Sequence, residues 1–328
     1  MKQKRQNLRF DRVLIVAGAL IVIMVIIGII LSLITNSIEK KKNKPHTTQD
    51  SSSKSMVVSK PVDLDYENQY LNISSIHEGN LILVNDDHKY EGSSEKSADF
   101  VVIDDNKNPY FESKSLTLTM DKNALKALNN MTEGFFIENN LKEPTGKTGI
   151  MIKSAYVSPE EQNIIYNQAL DNVKKMSKGG FSEHQTGLCT DLSFSSNNSI
   201  TELEYEKWFS ENCYKYGFII RYPENKSETT GIKNHKNHFR YLGLPHAYYI
   251  SQNDLTLEEY IEELKKYSIS DKLSFSFNSK QYEIYYEKAK PVENDSQKCE
   301  VCVPRDNSST FSTISGNNID GFIITTEK

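Results

Sequence analysis

A chain of 328 residues with 37% hydrophobic and 25% charged content has the make-up of a globular protein, which excludes collagen-like repeats and wholesale disorder. A formal net charge of −5, with lysines and acids interspersed through the body, offers no basis for a nucleic-acid partner. Four cysteines in a body this large do not make a disulfide framework.

The first predicted element is Val13–Ile34, an uncharged run of bilayer-spanning length. It is longer than a signal-peptide core, and no small-x-small cleavage site follows it. We read a single transmembrane helix. Residues 1–12 are then cytoplasmic, with the rest of the chain outside, an orientation favoured only slightly by the flanking Lys and Arg residues. Residues 35–65, rich in Ser and Lys, read as a polar linker.

A main domain is predicted over 66–268. Its first strand signal is the apolar patch Leu81–Val84. Leu116 and Leu118 alternate with threonines, and Asp121 then caps a helix presenting Leu125, Leu128 and Met131 at helical spacing. The plan repeats with a strand over 149–156. A helix follows, with Ser158 as N-cap, Pro159 in the first turn and Glu161 completing a capping box. Another helix begins near Thr201 and ends at Gly217. "GFIIRYP" and "HFRYLGL" read as strands, and "LTLEEYIEELKKYS" as an amphipathic helix that closes the domain. Residues 271–328 alternate apolar and polar residues around a turn signal, "SGNN", and read as a small β-rich C-terminal extension. Irregular interleaving of strands and helices predicts an α+β fold, an antiparallel sheet with flanking helices. Cys299 and Cys302 form a CxxC with no second CxxC to complete a zinc site, leaving a local disulfide or two free thiols.

The chemistry concentrates in two stretches. In "FSEHQTGLCTDLSF" (181–194), His184 and Asp191 stand seven apart, with Gly187 at a turn between them. Imidazole and carboxylate both ligate zinc, and a hydrolytic zinc takes three protein ligands with one position left for water. "GIKNHKNHFRYLGLPHA" (231–247) offers His235 or His238 as the third. By itself this pattern is also met by ordinary polar residues of a loop and a strand.

The stretch "SEHQTGLCTDL" resembles the SxHxxGxAxD motif of VanY-type D-alanyl-D-alanine carboxypeptidases, within the lysostaphin, D-Ala-D-Ala peptidase and hedgehog group of zinc folds. "GNLILVN", "SAYVSPEEQ", "NCYKYGFIIRYP", "TGIKNHKNHFRYLGLPHA" and "LTLEEYIEELKKY" follow in the family's order and spacing, so the resemblance covers roughly residues 75–268. It implies zinc held by His184, Asp191 and His238. It implies a peptidoglycan stem peptide as substrate, hence an extracytoplasmic domain tethered to the cell membrane. It also implies Tyr156, Gln162 and Ser182 near the substrate cleft, although a strand Tyr, a helix Gln and a loop Ser serve structure equally well. His246 matches a recurrent family His to which no ligand role attaches. Cys189 and Cys213 replace small family residues in core-like contexts and read as packing.

Two departures weigh on activity. The general-base Glu of the family's ExxH falls on His235, and the Arg of its SGYRS, which steadies the substrate carbonyl, falls on Val157. His235 is a substitute base, a fourth ligand that closes the site, or a solvated residue of a degenerated loop. Two readings follow: a stem-peptide-binding protein with impaired or lost hydrolysis, or an active zinc D,D-carboxypeptidase with His235 as its base.

Overall fold

A computed structural model describes residues 65–92, 99–169, 176–197, 200–233, 235–307 and 310–328. The expected span 13–34 and its flanking segments lie outside the described residues, apart from the last residue of the linker. Among the described residues no helix is long and apolar enough to cross a membrane. All described residues belong to one compact unit, Asp63–Lys328.

The architecture is mixed α+β. In chain order the strands are β1 (Tyr66–Asn72), β2 (Phe100–Val102), β3 (Glu112–Ser113), β4 (Thr119–Asp121), β5 (Ile150–Ser154), β6 (Cys189–Phe194), β7 (Phe218–Tyr222) and β8 (His235–Tyr241). Then come β9 (Leu273–Phe277), β10 (Lys280–Lys288), β11 (Pro291–Val292), β12 (Asp295–Pro304), β13 (Phe311–Gly316) and β14 (Gly321–Glu327). The central sheet has the order β3-β5-β6-β8-β7. It is antiparallel except for the short β3, which runs parallel to β5 at the edge. The β-rich C-terminal segment forms the sheet β13-β14-β10-β9 and pairs β12 with β1 and β11.

Helix starts follow their caps. Asp121 accepts hydrogen bonds from the amides of Asn123 and Ala124, and the helix Lys122–Glu138 buries Leu125, Leu128 and Met131. Ser158 and Glu161 bond reciprocally at the start of Pro159–Ala169. Thr201 with Glu204, and Thr256 with Glu259, form capping boxes for Glu202–Asn212 and Leu257–Leu264. At Gly217 the chain turns with φ +84°, a conformation in which a side chain is strained.

Two strand expectations fail. Leu81–Val84 is buried but is not a strand. Its backbone partners come from elsewhere: the Leu81 amide donates to Ser315 Oγ, the Leu83 amide to Asn317 O, and Ile82 O accepts from Arg240. An extended apolar run satisfied in this way needs no ladder. Leu116 is 71% exposed in a turn, so pairing on that side begins only at Thr119. β8, conversely, starts at His235, three residues before the predicted "HFRYLGL".

The main core packs the helix Lys122–Glu138 and the helix Glu202–Asn212 on the central sheet, through Leu128, Phe135, Ile152, Leu192, Phe209 and Phe239. A second cluster joins Leu81 and Leu83, the helix residues Leu257, Tyr260 and Ile261, and the C-terminal residues Leu273, Ile284 and Ile323. In β12, Cys299 and Cys302 are three residues apart and therefore face opposite sides of the strand. They are two free thiols rather than a local disulfide.

Candidate metal centre

The site forms where β6, β8 and a short 3-10 turn meet. In the antiparallel register Asp191 lies directly opposite His238, which brings the side chains of such a cross-strand pair together. His238 Nδ1 sits 2.8 Å from Asp191 Oδ1. His184 arrives from the 3-10 turn Glu183–Thr186, with its Nε2 3.2 Å from Asp191 Oδ2. The two imidazole rings stand edge to face, centroids 5.1 Å apart. Ser182 and Gln185 form a capping box on this turn, and Gly187 ends it at φ +69°, where a Cβ would overlap the Phe100 ring.

Contacts behind the site fix both rings. His184 Nδ1 lies 2.5 Å from Ala155 O, and the Val157 amide donates to His184 O at 3.2 Å. His238 Nε2 faces Glu183 Oε2 at 3.4 Å, an ion-pair contact without the alignment of a regular hydrogen bond. A histidine that ligates metal usually gives its other ring nitrogen to a carbonyl or carboxylate. Here Ala155 O lies against His184 Nδ1 and Glu183 Oε2 faces His238 Nε2, leaving His184 Nε2 and His238 Nδ1 toward Asp191.

Glu183 also binds two fully buried arginines. Arg221 Nε and Arg240 Nη1 each donate to its Oε1 at 2.8 Å. Burial raises the pKa of Glu183, but Arg221 and Arg240 outweigh it and hold the carboxyl well below its ordinary 4.5. Arg221 is also bidentate to Glu258, and Arg240 Nη2 donates to Asn80 O and Ile82 O. Sequence reasoning missed Glu183. Its only signals were an acid next to His184 and two arginines inside otherwise apolar strands.

His235 lies at the start of β8, its side chain 46% exposed, with Nε2 3.6 Å from Asp191 Oδ1. Its ring is 5.4 Å from that of His238 and stacks on Tyr222 at 6.4 Å. One ligand atom from each of Asp191, His235 and His238 falls within 4.8 Å of the others, and so does one from each of His184, Cys189 and His238. Burial disfavours a charged His184, but Cys189 and Asp191 outweigh it and raise its pKa to about 10. Burial likewise pushes the Cys189 thiol up, and His184 and His238 bring it down to about 7.

The remaining predicted residues are spread around this centre. Ser182 is buried, and its hydroxyl accepts from the His184 amide at 3.4 Å. Gln162 is buried, its Nε2 donating to Ser177 O. Tyr156 is half-buried, edge to face with Phe100. His246 bonds Tyr260 and Thr325 instead of the ligand cluster, and burial pushes its pKa down to about 3.

Residues 118–244 match the family model described as VanY: D-alanyl-D-alanine carboxypeptidase. The chain is 34% identical over 256 residues to a D-alanyl-D-alanine carboxypeptidase of Enterococcus faecium, covering 76% of each protein. The chain belongs to the VanY D-alanyl-D-alanine carboxypeptidase family. VanY-family proteins are zinc peptidases acting on peptidoglycan peptides. A putative carboxypeptidase of Bacillus subtilis (strain 168), YodJ, is 36% identical over 199 residues, 57% of this chain and 68% of its own. The crystal structure of the vancomycin resistance D,D-dipeptidase VanXYg, in complex with a D-Ala-D-Ala phosphinate analog, superposes with a TM-score of 0.66 at 29% identity. That match covers 80% of this chain and all of the other. Against this VanY-family background, two imidazoles and a carboxylate, each ring held from behind, fit zinc by their chemistry.

Proposed function

We propose that this chain binds D-Ala-terminated peptidoglycan stem peptides over a zinc site of His184, Asp191 and His238, with hydrolysis strongly impaired. The convergence of His184 Nε2 and His238 Nδ1 on the Asp191 carboxylate carries the reading. The VanXYg likeness, a protein solved with a D-Ala-D-Ala phosphinate analog, supports the ligand class. Zinc bound there would polarise the scissile carbonyl and acidify a water.

What the protein adds around the metal is where it departs from the family. Val157 cannot donate to a developing oxyanion, and losing such a donor costs about 100–1,000-fold in rate. Arg221 and Arg240 do not replace it, because both are fully buried and committed to Glu183. Loss of the general-base Glu costs a further ~100–10,000-fold. A second reading, an active carboxypeptidase, rests on His235, whose half-exposed imidazole stands 3.6 Å from Asp191 and is a side chain of the type that most often serves as a general base. In either reading, Val13–Ile34 anchors the chain in the cell membrane with the zinc domain outside.

The purified protein with zinc, given a D-Ala-D-Ala-terminated pentapeptide, is expected to bind it and to release D-Ala no faster than the His184→Ala variant. Release well above that control establishes the second reading. Val157→Arg combined with His235→Glu raises release if these two positions alone impair hydrolysis; no gain places the impairment at the metal itself.

A further inference from the structure

Cys189 stands where the family motif has a small residue, and the sheet aims it at the metal centre. It lies two residues before Asp191 on β6, so both side chains share one face. The register pairs Cys189 with Arg240 and Asp191 with His238, which puts His238 on that same face of β8. Cys189 is 0% exposed, and its sulfur lies within 4.8 Å of a ring nitrogen of each of His184 and His238. The two rings are independently oriented, by Ala155 O and by Glu183, so the cluster is not set by the cysteine itself.

We infer that Cys189 is a fourth protein ligand of the zinc, completing a closed His184–Cys189–Asp191–His238 centre. This inference rests on the zinc reading above and deepens it. Thiolate is the softer and stronger donor for zinc, and structural zinc sites take four protein ligands where catalytic ones keep a position open for water. Sulfur and nitrogen donors on one tetrahedral zinc sit roughly 3.5 Å apart, so the donors of His184, Cys189 and His238, within 4.8 Å of one another, need only draw closer, and Asp191 already contacts both rings. A filled coordination shell leaves no place for the hydrolytic water. Such a centre has no use for a general base or an oxyanion donor, which is the state of positions 235 and 157. The alternative, Cys189 as mere packing, leaves the metal with three protein ligands.

Cobalt(II) in place of zinc separates these outcomes without any activity assay. The purified protein is expected to take up one cobalt per chain, giving visible d–d bands of tetrahedral intensity and a thiolate-to-cobalt charge-transfer band in the near ultraviolet. Cys189→Ala should keep the visible bands and lose the ultraviolet one. It should also bind zinc at least about tenfold more weakly, because losing even an outer contact of a metal ligand costs that much. Cobalt bound without the charge-transfer band in the unmodified protein, or a band that survives Cys189→Ala, overturns the ligand role and leaves the three-ligand site standing. No cobalt uptake, or uptake unaffected by His238→Ala, overturns the metal site and the inference with it. The unmodified protein's own spectrum decides the matter even where a variant folds poorly.

Discussion

Glu183 shows how much one residue can hold. It lies in a buried position, takes one bond from each of two fully buried arginines, and faces the back of His238. Removing one partner of a buried ion pair leaves an uncompensated charge, so Glu183→Ala should lower unfolding free energy by ~3–5 kcal/mol. The folded pKa of Glu183 lies below its ordinary 4.5, so its contribution is present above pH 4.5 and is lost as pH falls below it. The stability gap between the parent protein and Glu183→Gln, from denaturant titrations, should therefore shrink from pH 4.5 downward. A gap constant down to pH 3 would show that Glu183 is not held as an anion. His184 and Asp191 were legible from spacing and resemblance. Glu183 was not, because nothing in a one-dimensional pattern tells a solvated acid from one that two arginines enclose.

Among the elements, the "SGNN" turn does more than reverse the chain. Asn318, at φ +63°, donates from Nδ2 to Leu83 O and Lys89 O, while its Oδ1 meets His77 Nδ1 at 2.7 Å. It thereby pins the Leu81–Val84 run whose Ile82 carbonyl accepts from Arg240, so the C-terminal strands support the Glu183 network at one remove. Asn318→Ala strands a buried carbonyl at about 1–3 kcal/mol and adds strain at a positive φ. Faster amide hydrogen exchange at Leu83 and Tyr90, with the β6–β8 ladder still protected, is the expected signature. Unchanged exchange at both would refute the pinning. The turn itself was readable from Ser, Gly and Asn. Its partners were not, since they lie over 200 residues away in the chain, and the failed strand expectation at "LILV" has the same cause.

At the scale of the whole molecule, the helix Leu257–Leu264 packs on both Leu81 and Leu83 and on the C-terminal strands, so residues 271–328 share a core with the segment that precedes them. The proposed membrane anchor, Val13–Ile34, belongs to this scale as well. Deleting residues 13–34 should move the protein from the membrane pellet to the soluble fraction of lysed cells, and a variant that still sediments with membranes would refute the anchor.

The sequence by itself determined the α+β class and the helix starts, and it singled out His184, Asp191 and His238 as candidate ligands. Those features are local or motif-borne: a cap needs its neighbours three residues on, and strand alternation needs only period two. Only the tertiary structure decided what surrounds them. The β6–β8 register sets Asp191 against His238 and turns Cys189 to the same face, and the fold buries Arg221 and Arg240 on Glu183. Register and charge burial depend on residues distant in the chain, so no local pattern shows them.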